Sequence, residues 1–519
     1  MTSKVDRWIR QPLLAEQPAS GTQRARWILL LGWLAITLVL VLHHVPWRDE
    51  ARAWSLMQMG ESWPDMFRAV QGEGHPFLWY ILLRGGWDLF GSSDVLRITG
   101  PLIGIAATAL LVLRGPFRLG MLALLIFSLH LGFEYTVLSR NYGISALVML
   151  AIAALWLRVR DSLWLGVLLL LLCNTNVPSV FVAGSLAFYR MLELWGTQRN
   201  LRAPEWRRFA ANGLLLLLGV ALCFVAVYPP ANDAAASSGS APFTLANLSA
   251  ALFTAERSFM AIGFGSKSLV GPFVLLTSLL LFLDQPKALS AALLALIALK
   301  LFFFFVYPGH YRHSSLFFIL TIALAWIEAS KGWERDWRYG EQRPLLLLGT
   351  TAFAILMGMQ TVRYLRDPIT NLIQGRPYSQ AADLARVLER PELRGATLMI
   401  DPDTMGESVV YQTGRPYWLA RQDRLATLTP LSLTGNKMLT LDRLLQQADA
   451  VNKQTGRPVV IALALDIERA KSGVWDVMYH DYTVLTPASV ARFKASTRKL
   501  VSLRNAGTDE GYDVYLYPR

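Results

Sequence analysis

The chain has 519 residues, 53% hydrophobic and only 17% charged, with a mean hydropathy of +0.35. Soluble domains carry about a quarter charged residues, so a soluble enzyme, a nucleic-acid-binding module and a disordered scaffold are excluded as descriptions of the whole chain. Of the net charge of +13, residues 370–519 account for only +3 (19 Lys/Arg against 16 Asp/Glu), so the excess lies in the apolar part.

In chain order, a mostly polar segment 1–26 precedes the first apolar run, 27–44, which lacks a small-residue cleavage site and reads as a retained helix. Further runs at 97–113, 119–136, 143–157, 161–172, 177–195, 209–228, 268–283, 288–306, 314–329 and 344–361 predict eleven full spans. The short segment 76–90 contains Arg84 and Asp88; whether it crosses is open, which widens the count to about 11–13. With 1–26 cytoplasmic and 76–90 uncounted, the basic connections fall inside: Arg114 and Arg118, Arg158 and Arg160, Arg199 to Arg208, Lys331 to Arg343. The first loop 45–75, the 133–142 turn, the 173–178 turn, the 229–267 loop and the 307–313 turn then share the outer face with the tail. Within the fourth of these, residues 231–243 read as a lid or a slack connector. Cys173 and Cys223 lie in or beside apolar runs and read as small buried hydrophobes.

The tail, 362–519, has a different texture. A helix is predicted at 380–390, a strand at 396–403, a helix at 438–448, a strand at 457–465, and extended pieces at 482–493 and 512–519. That alternation predicts an extracytoplasmic α/β domain. Asp401 and Asp403 at a strand end are either ligand residues or turn acids, and no glycine-rich fingerprint follows to suggest nucleotide binding.

Four motifs on the outer face carry reactive side chains. HHVPWRDEARAW (43–54) sets Asp49 and Glu50 just beyond the first span, between Arg48 and Arg52. Carboxylates so near the membrane are costly unless hydrated, paired or used. One can serve as a general base and the other can orient a sugar hydroxyl; the alternative is a pair satisfied by the two arginines. EGHPFLWY (73–80) supplies Glu73 and His75 ahead of an aromatic segment. FEYTVLSRNYG (133–143) puts Glu134, Arg140 and Asn141 at an outer turn, either as a Glu134–Arg140 pair or as an anion site. YPGHYRHSS (307–315) gathers Tyr307, His310, Arg312 and His313 before a helix start, a natural place for a phosphate. Both arginine-bearing turns break the positive-inside bias. No zinc spacing is present; Asp49 and Glu50 allow a divalent cation without requiring one.

Together RDEARAW (48–54), GHPFLWY (74–80), LSRNYG (138–143) and YPGHYRH (307–313) make the chain resemble the GT-C superfamily of polyprenyl-phosphate-sugar-dependent glycosyltransferases, within it the protein mannosyltransferase and aminoarabinose transferase branch. The resemblance covers the organisation of 25–361 and implies a GT-C-like transmembrane catalytic domain, 27–361, in a bacterial inner membrane. It implies that Asp49 is the catalytic base, that Glu50 assists, and that His75 and Pro76 shape the site wall. It further implies that Arg140 with His310, Arg312 and His313 holds the lipid phosphate. Phe77 stands where the family often has a second proline. The implied activity is inverting transfer of a sugar from a polyprenyl-phosphate donor to a hydroxyl of an envelope lipid, glycan or protein, with no required cofactor, membrane lipids as neighbours and no nucleic acid. The rival readings are a transporter or flippase of lipid-linked sugars and a non-catalytic component of a surface-polymer assembly; no internal repeat supports the transporter.

Overall fold

The computed structural model describes residues 20–234, 241–253, 270–331 and 343–518. Residues 1–19, most of the expected cytoplasmic segment, and 235–240, the middle of the 231–243 connector, lie outside the described residues, as do 254–269 and the basic connection 332–342.

Among the described residues, eight helices are long and apolar enough to cross a membrane: Thr22–His43, Asp94–Arg114, Tyr142–Val159, Val177–Thr197, Pro204–Val227, Pro286–Phe305, Tyr311–Ser330 and Pro344–Ile373. The chain is a polytopic α-helical membrane protein with an α/β domain after its last long helix. Three of the eleven expected spans are shorter helices among the described residues, the third beginning where the described residues resume. Run 119–136 is a helix Leu119–Ile126 followed by a π-helical turn His130–Glu134. Between them the Ser128 hydroxyl donates to the Leu125 carbonyl (2.5 Å), a back-bond that competes with the helical ladder. Run 161–172 is an eleven-residue helix, Leu163–Cys173, started by the Ser162 side chain and closed before Asn174. Run 268–283 is Val270–Ser278 tightening into a 3-10 turn, Leu279–Phe282. Segment 76–90 forms the 13-residue helix Leu78–Phe90, ~20 Å long against a ~30 Å hydrocarbon core. The last long helix runs on to Ile373 through a π-helical turn, well past Thr361 where the composition changes.

Three helices give the bundle its polarity. Tyr142–Val159, Val177–Thr197 and Tyr311–Ser330 all begin beside one cluster of polar turns, where Asn141 donates to the Thr175 carbonyl (2.5 Å) and the Tyr135 hydroxyl to the Arg312 carbonyl (2.7 Å). Each rises ~1.5 Å per residue, so their far ends lie roughly one bilayer core away. At those ends Asp161, Arg190, Glu193, Glu328 and Lys331 meet. The 135–139 turn is held by close approach: a Cβ on Gly104 would lie 2.5 Å from the Thr136 Cα, and one on Gly100 2.7 Å from the Ser139 Cα. Only glycine lets the Asp94–Arg114 helix lie directly on that backbone.

The α/β domain is built on a six-stranded mixed sheet. Its strands are β1 (Thr397–Asp401), β2 (Tyr417–Leu419), β3 (Arg424–Ala426), β5 (Val459–Leu463), β8 (Arg498–Leu503) and β9 (Tyr512–Tyr517), in the order β3-β2-β1-β5-β9-β8. β1 and β5 are parallel, β5 and β9 antiparallel. Successive residues alternate between faces: Leu398, Ile400, Val460 and Ala462 pack with Leu384 and Leu388, while Met399, Val459 and Ile461 pack with Leu444, Ala448 and Phe493. Because both faces are covered, the VVIAL strand is apolar throughout. The expected helix at 380–390 is Ala381–Leu388 and that at 438–448 is Leu441–Thr455. A second sheet joins β4 (Met438–Thr440), β7 (Asp481–Leu485) and β6 (Gly473–Met478). β2, β3, β6 and β8 had no sequence expectation.

Candidate active site

The Arg48–Met57 helix begins shortly after the first span, so RDE falls in its first turn. Acidic residues are favoured there by the helix dipole. One turn separates two fates. Asp49 stays partly open, its side chain 31% exposed, while Glu50 is fully buried.

Glu50, expected beside Asp49 at the reaction centre, has its carboxylate already occupied. It accepts from His44 Nε2 (2.8 Å), the Trp47 amide (3.2 Å) and the Ser139 amide (2.6 Å). The last bond ties the first loop to the LSRNYG turn. The residue before Glu50 and the residue after Ser139 then complete the contact: Arg140 Nη1 meets Asp49 Oδ2 at 2.7 Å. Arg312 reaches the same oxygen at 3.5 Å and Arg48 approaches Oδ1 at 4.0 Å. Burial alone raises the Asp49 carboxyl, but Arg140, Arg312 and Arg48 together hold it well below the usual carboxylate range, so it is ionised throughout the physiological range.

His75 joins through Arg140, whose Nη2 donates to His75 Nε2 (3.1 Å). Arginine has no acceptor, so Nε2 carries the lone pair and Nδ1 the proton. Burial, then the Arg140 charge, pushes His75 down to about 3, and it stands as a neutral imidazole. Glu134 lies 3.7 Å from Arg312 Nε and does not pair with Arg140. Its Oε2 is buried with no hydrogen-bond partner among the described residues, and neither has the Tyr142 hydroxyl. The Trp47 ring lies between two guanidinium groups, Arg312 at 5.0 Å and Arg48 at 4.9 Å from its centroid.

The histidines of the 307–315 motif are arranged by local bonds. His313 Nδ1 accepts from the His310 amide (2.8 Å), which leaves its proton on Nε2. Tyr142 and Tyr307 both meet the His313 ring edge-on, at 5.3 and 5.5 Å. His310 is exposed at the rim of the cluster, and partial loss of solvent around its ring, then the Arg312 charge, lowers its pKa. Asn141 points away, into the Thr175 carbonyl, and supports the turn.

Glu73 is placed in a second, adjoining arrangement. Arg52 clamps it with Nε at 3.0 Å and Nη2 at 2.7 Å from Oε2, and on the other side reaches Glu407 (2.7 Å) and the Thr429 carbonyl (2.9 Å) of the α/β domain. Arg48 does the same one turn earlier: its side chain pairs with Asp509 (2.7 Å) and its amide donates to Glu510 (2.7 Å). The helix carrying Asp49 is therefore gripped from the α/β domain through both flanking arginines. The Gly406–Thr413 helix packs along it, and the Tyr411 hydroxyl donates to the Ser93 carbonyl (2.9 Å). Burial raises Glu407 and Glu510 each to about 7 despite these partners. Sequence reasoning missed Glu407, Asp509 and Glu510, which nothing near them in the chain marks, and passed over Tyr142 although it lies within the LSRNYG motif.

Asp401 and Asp403 are turn acids of a buried ion cluster. Asp401 accepts from Arg421 (2.7 Å) and the Thr483 hydroxyl (2.7 Å), and Asp403 from the Ala420 amide (3.1 Å). Among the described residues no group of three His, Cys, Asp or Glu side chains is placed to hold a metal ion.

No protein-family model matches the chain, and no curated protein matches it in sequence. Among solved structures it is similar to the crystal structure of ArnT from Cupriavidus metallidurans bound to undecaprenyl phosphate, at 13% identity over 94% of this chain and 97% of that one, with a TM-score of 0.49. The apo state of that protein gives 13% identity over the same shares, with a TM-score of 0.46.

Proposed function

We propose that the protein is a GT-C-type glycosyltransferase moving a sugar from a polyprenyl-phosphate donor to a hydroxyl acceptor at the extracytoplasmic face of a bacterial inner membrane. The observation that carries this reading is the partly open Asp49 carboxylate facing Arg140 and Arg312 at the mouth of a membrane bundle. A lipid chain lies in apolar surroundings between helices while its phosphate meets the two guanidinium groups, which are suited to bind it. As the glycosidic bond breaks, charge grows on that phosphate and the same two cations stabilise it.

Donor binding changes Asp49 in the direction catalysis needs. Without phosphate, Arg140 and Arg312 suppress its basicity. Once they are engaged by the phosphate oxygens, Asp49 is freed to accept the proton of the acceptor hydroxyl as that oxygen attacks the anomeric carbon. Attack from the face opposite the leaving phosphate inverts the configuration. Glu50 is a positioning residue in this reading, since it fixes Ser139 and thereby Arg140. His75, neutral, orients Arg140 and takes no proton of its own. Tyr307, His310 and His313 form the wall beside Arg312, and Glu73 anchors the Arg52 clamp. No resident metal is required, because both charges that a metal would neutralise already face arginines.

Sugar transfer in reconstituted vesicles tests this, with a panel of polyprenyl-phosphate sugars and with envelope lipid, glycan and protein acceptors. Transfer by wild type with an inverted product anomer is expected. Movement of the donor across the bilayer without bond cleavage would instead establish the transporter reading.

A further inference from the structure

The α/β domain brings one strained feature to the same centre. In the β6–β7 hairpin Met478 pairs with Asp481, so the loop consists of Tyr479 and His480 alone. Both have positive φ, 48° and 60°. That is the pattern of a type I′ turn, which takes Asn-Gly or Asp-Gly because larger L side chains are strained in the left-handed region. The hairpin lies at the edge of the three-stranded sheet, with Val474 and Trp475 exposed, so the turn residues are not core-filling. Yet its tip is covered. His480 Nε2 is buried and has no hydrogen-bond partner among the described residues. The neighbouring Met478 is fixed by the Thr404 hydroxyl (3.4 Å to Sδ). Burial pushes the Tyr479 phenol up to about 12, and the other charges that act on it are Asp49, Tyr307, Arg48 and Arg52. These are residues of the first loop and of the 307 turn. Strained positions of this kind persist where the side chain is used.

We propose that Tyr479 and His480 are acceptor-binding residues, the hairpin tip offering a phenol and an imidazole nitrogen to the hydroxyls of a sugar or polyol acceptor as it approaches Asp49. The assignment deepens the glycosyltransferase reading and rests on it. The acceptor is favoured over the donor by where the tip comes from. Arg140 and Arg312, which suit a lipid phosphate, stand at the ends of membrane helices, whereas the hairpin belongs to the domain outside the bundle and is held at Met478 by Thr404, two residues before the helix whose Glu407 pairs with Arg52.

Replacing the pair with the residues the turn itself prefers, Tyr479→Asn with His480→Gly, separates use from architecture. The double variant and Tyr479→Phe are compared with wild type and Asp49→Asn in vesicles, using a polyprenyl-phosphate hexose and an alkyl glycoside acceptor. The double variant is expected to keep or raise the melting temperature, to bind undecaprenyl phosphate as wild type does, and to raise the acceptor KM about tenfold or more, the loss of one or two hydrogen bonds. Tyr479→Phe is expected to raise it about threefold or more, with donor KM unchanged. An unchanged acceptor KM in the double variant while Asp49→Asn is inactive overturns this assignment and leaves the glycosyltransferase reading standing. Loss of undecaprenyl phosphate binding by the double variant overturns it too, since the tip would then serve the donor. Wild type that transfers to no acceptor from any donor of the panel overturns both.

Discussion

The two ends of the bundle each hold a cluster of buried charge, and they are built to opposite specifications. At the far end Arg190 pairs with Asp161 and Glu193, Lys331 with Glu193 (2.9 Å) and Glu328 (3.0 Å), and the Tyr189 hydroxyl donates to Glu328 (2.5 Å). Glu193 and Glu328 are 4% and 3% exposed. Every one of these charges meets an opposite charge, with Asp161 and Lys331 forming the partly exposed rim of the group. At the end next to the α/β domain one carboxylate oxygen is shared by two arginines, Asp49 is partly open, and Glu134 and Tyr142 hold buried oxygens without hydrogen-bond partners among the described residues. Buried charge in a membrane protein is therefore not a site in itself; incomplete satisfaction is what sets the candidate site apart from a staple.

Substitutions sharpen that contrast by separating activity from stability. The largest effect is expected for Asp49→Asn, a loss of about 10²–10⁴ in the transfer rate per folded molecule, with a lowered melting temperature because the ion pair with Arg140 is gone. Steady-state transfer beside a thermal melt checks it. Arg312→Gln follows, at about 10²–10³ in kcat, because one of the two cations facing the leaving phosphate is gone; transfer measured at saturating donor reads it. Arg190→Ala should do the reverse, costing ~3–5 kcal/mol of stability by stranding Asp161 and Glu193 while transfer per folded molecule is unaltered. Denaturation in mild detergent shows it, and a selective loss of kcat would break the comparison.

Glu50→Gln lies between the two classes. It weakens three charge-assisted bonds, lowering stability by ~1–3 kcal/mol, and loosens Ser139, so kcat falls with it by about tenfold; paired melts and rates follow both. The smallest effect is in pH. Glu407 and Glu510 titrate near 7 in the folded protein against about 4.5 ordinarily. The native state thus retains protons that the unfolded chain has released, and the stability these two groups contribute is fully present below pH ~4.5 and is lost as pH rises through about 7. Glu407→Gln should flatten part of that slope in melting curves taken from pH 5 to 8.

Much of the outer cluster was legible because its residues defy their surroundings. Arg140 and Arg312 are cations on the face that the charge pattern assigns to the outside, and Asp49 and His75 flank apolar helices whose composition gives them no other task. Pairing was less legible. Glu134 and Arg140 are six residues apart and invite each other, yet the π-helical turn at His130–Glu134 hands Arg140 to Asp49 and Glu134 to Arg312. Adjacency likewise suggested a shared fate for Asp49 and Glu50, which a helix turn splits. Glu407, Glu510 and Tyr479 were not legible at all: each lies more than 350 residues from the helix it serves, in stretches that read as ordinary α/β surface. The same holds for span count, where local back-bonding at Ser128 and the caps at Ser162 and Asn174 shorten runs that hydropathy alone reads as crossings.

The most direct test of the account is a single-turnover measurement on donor-saturated wild type and Asp49→Asn, with donor occupancy determined on the same vesicles. The account predicts that the variant binds donor at least as tightly, having lost the carboxylate that competes for Arg140 and Arg312, while the transfer step slows by about 10² or more. Equal single-turnover rates at equal occupancy would contradict it and remove Asp49 from the chemistry.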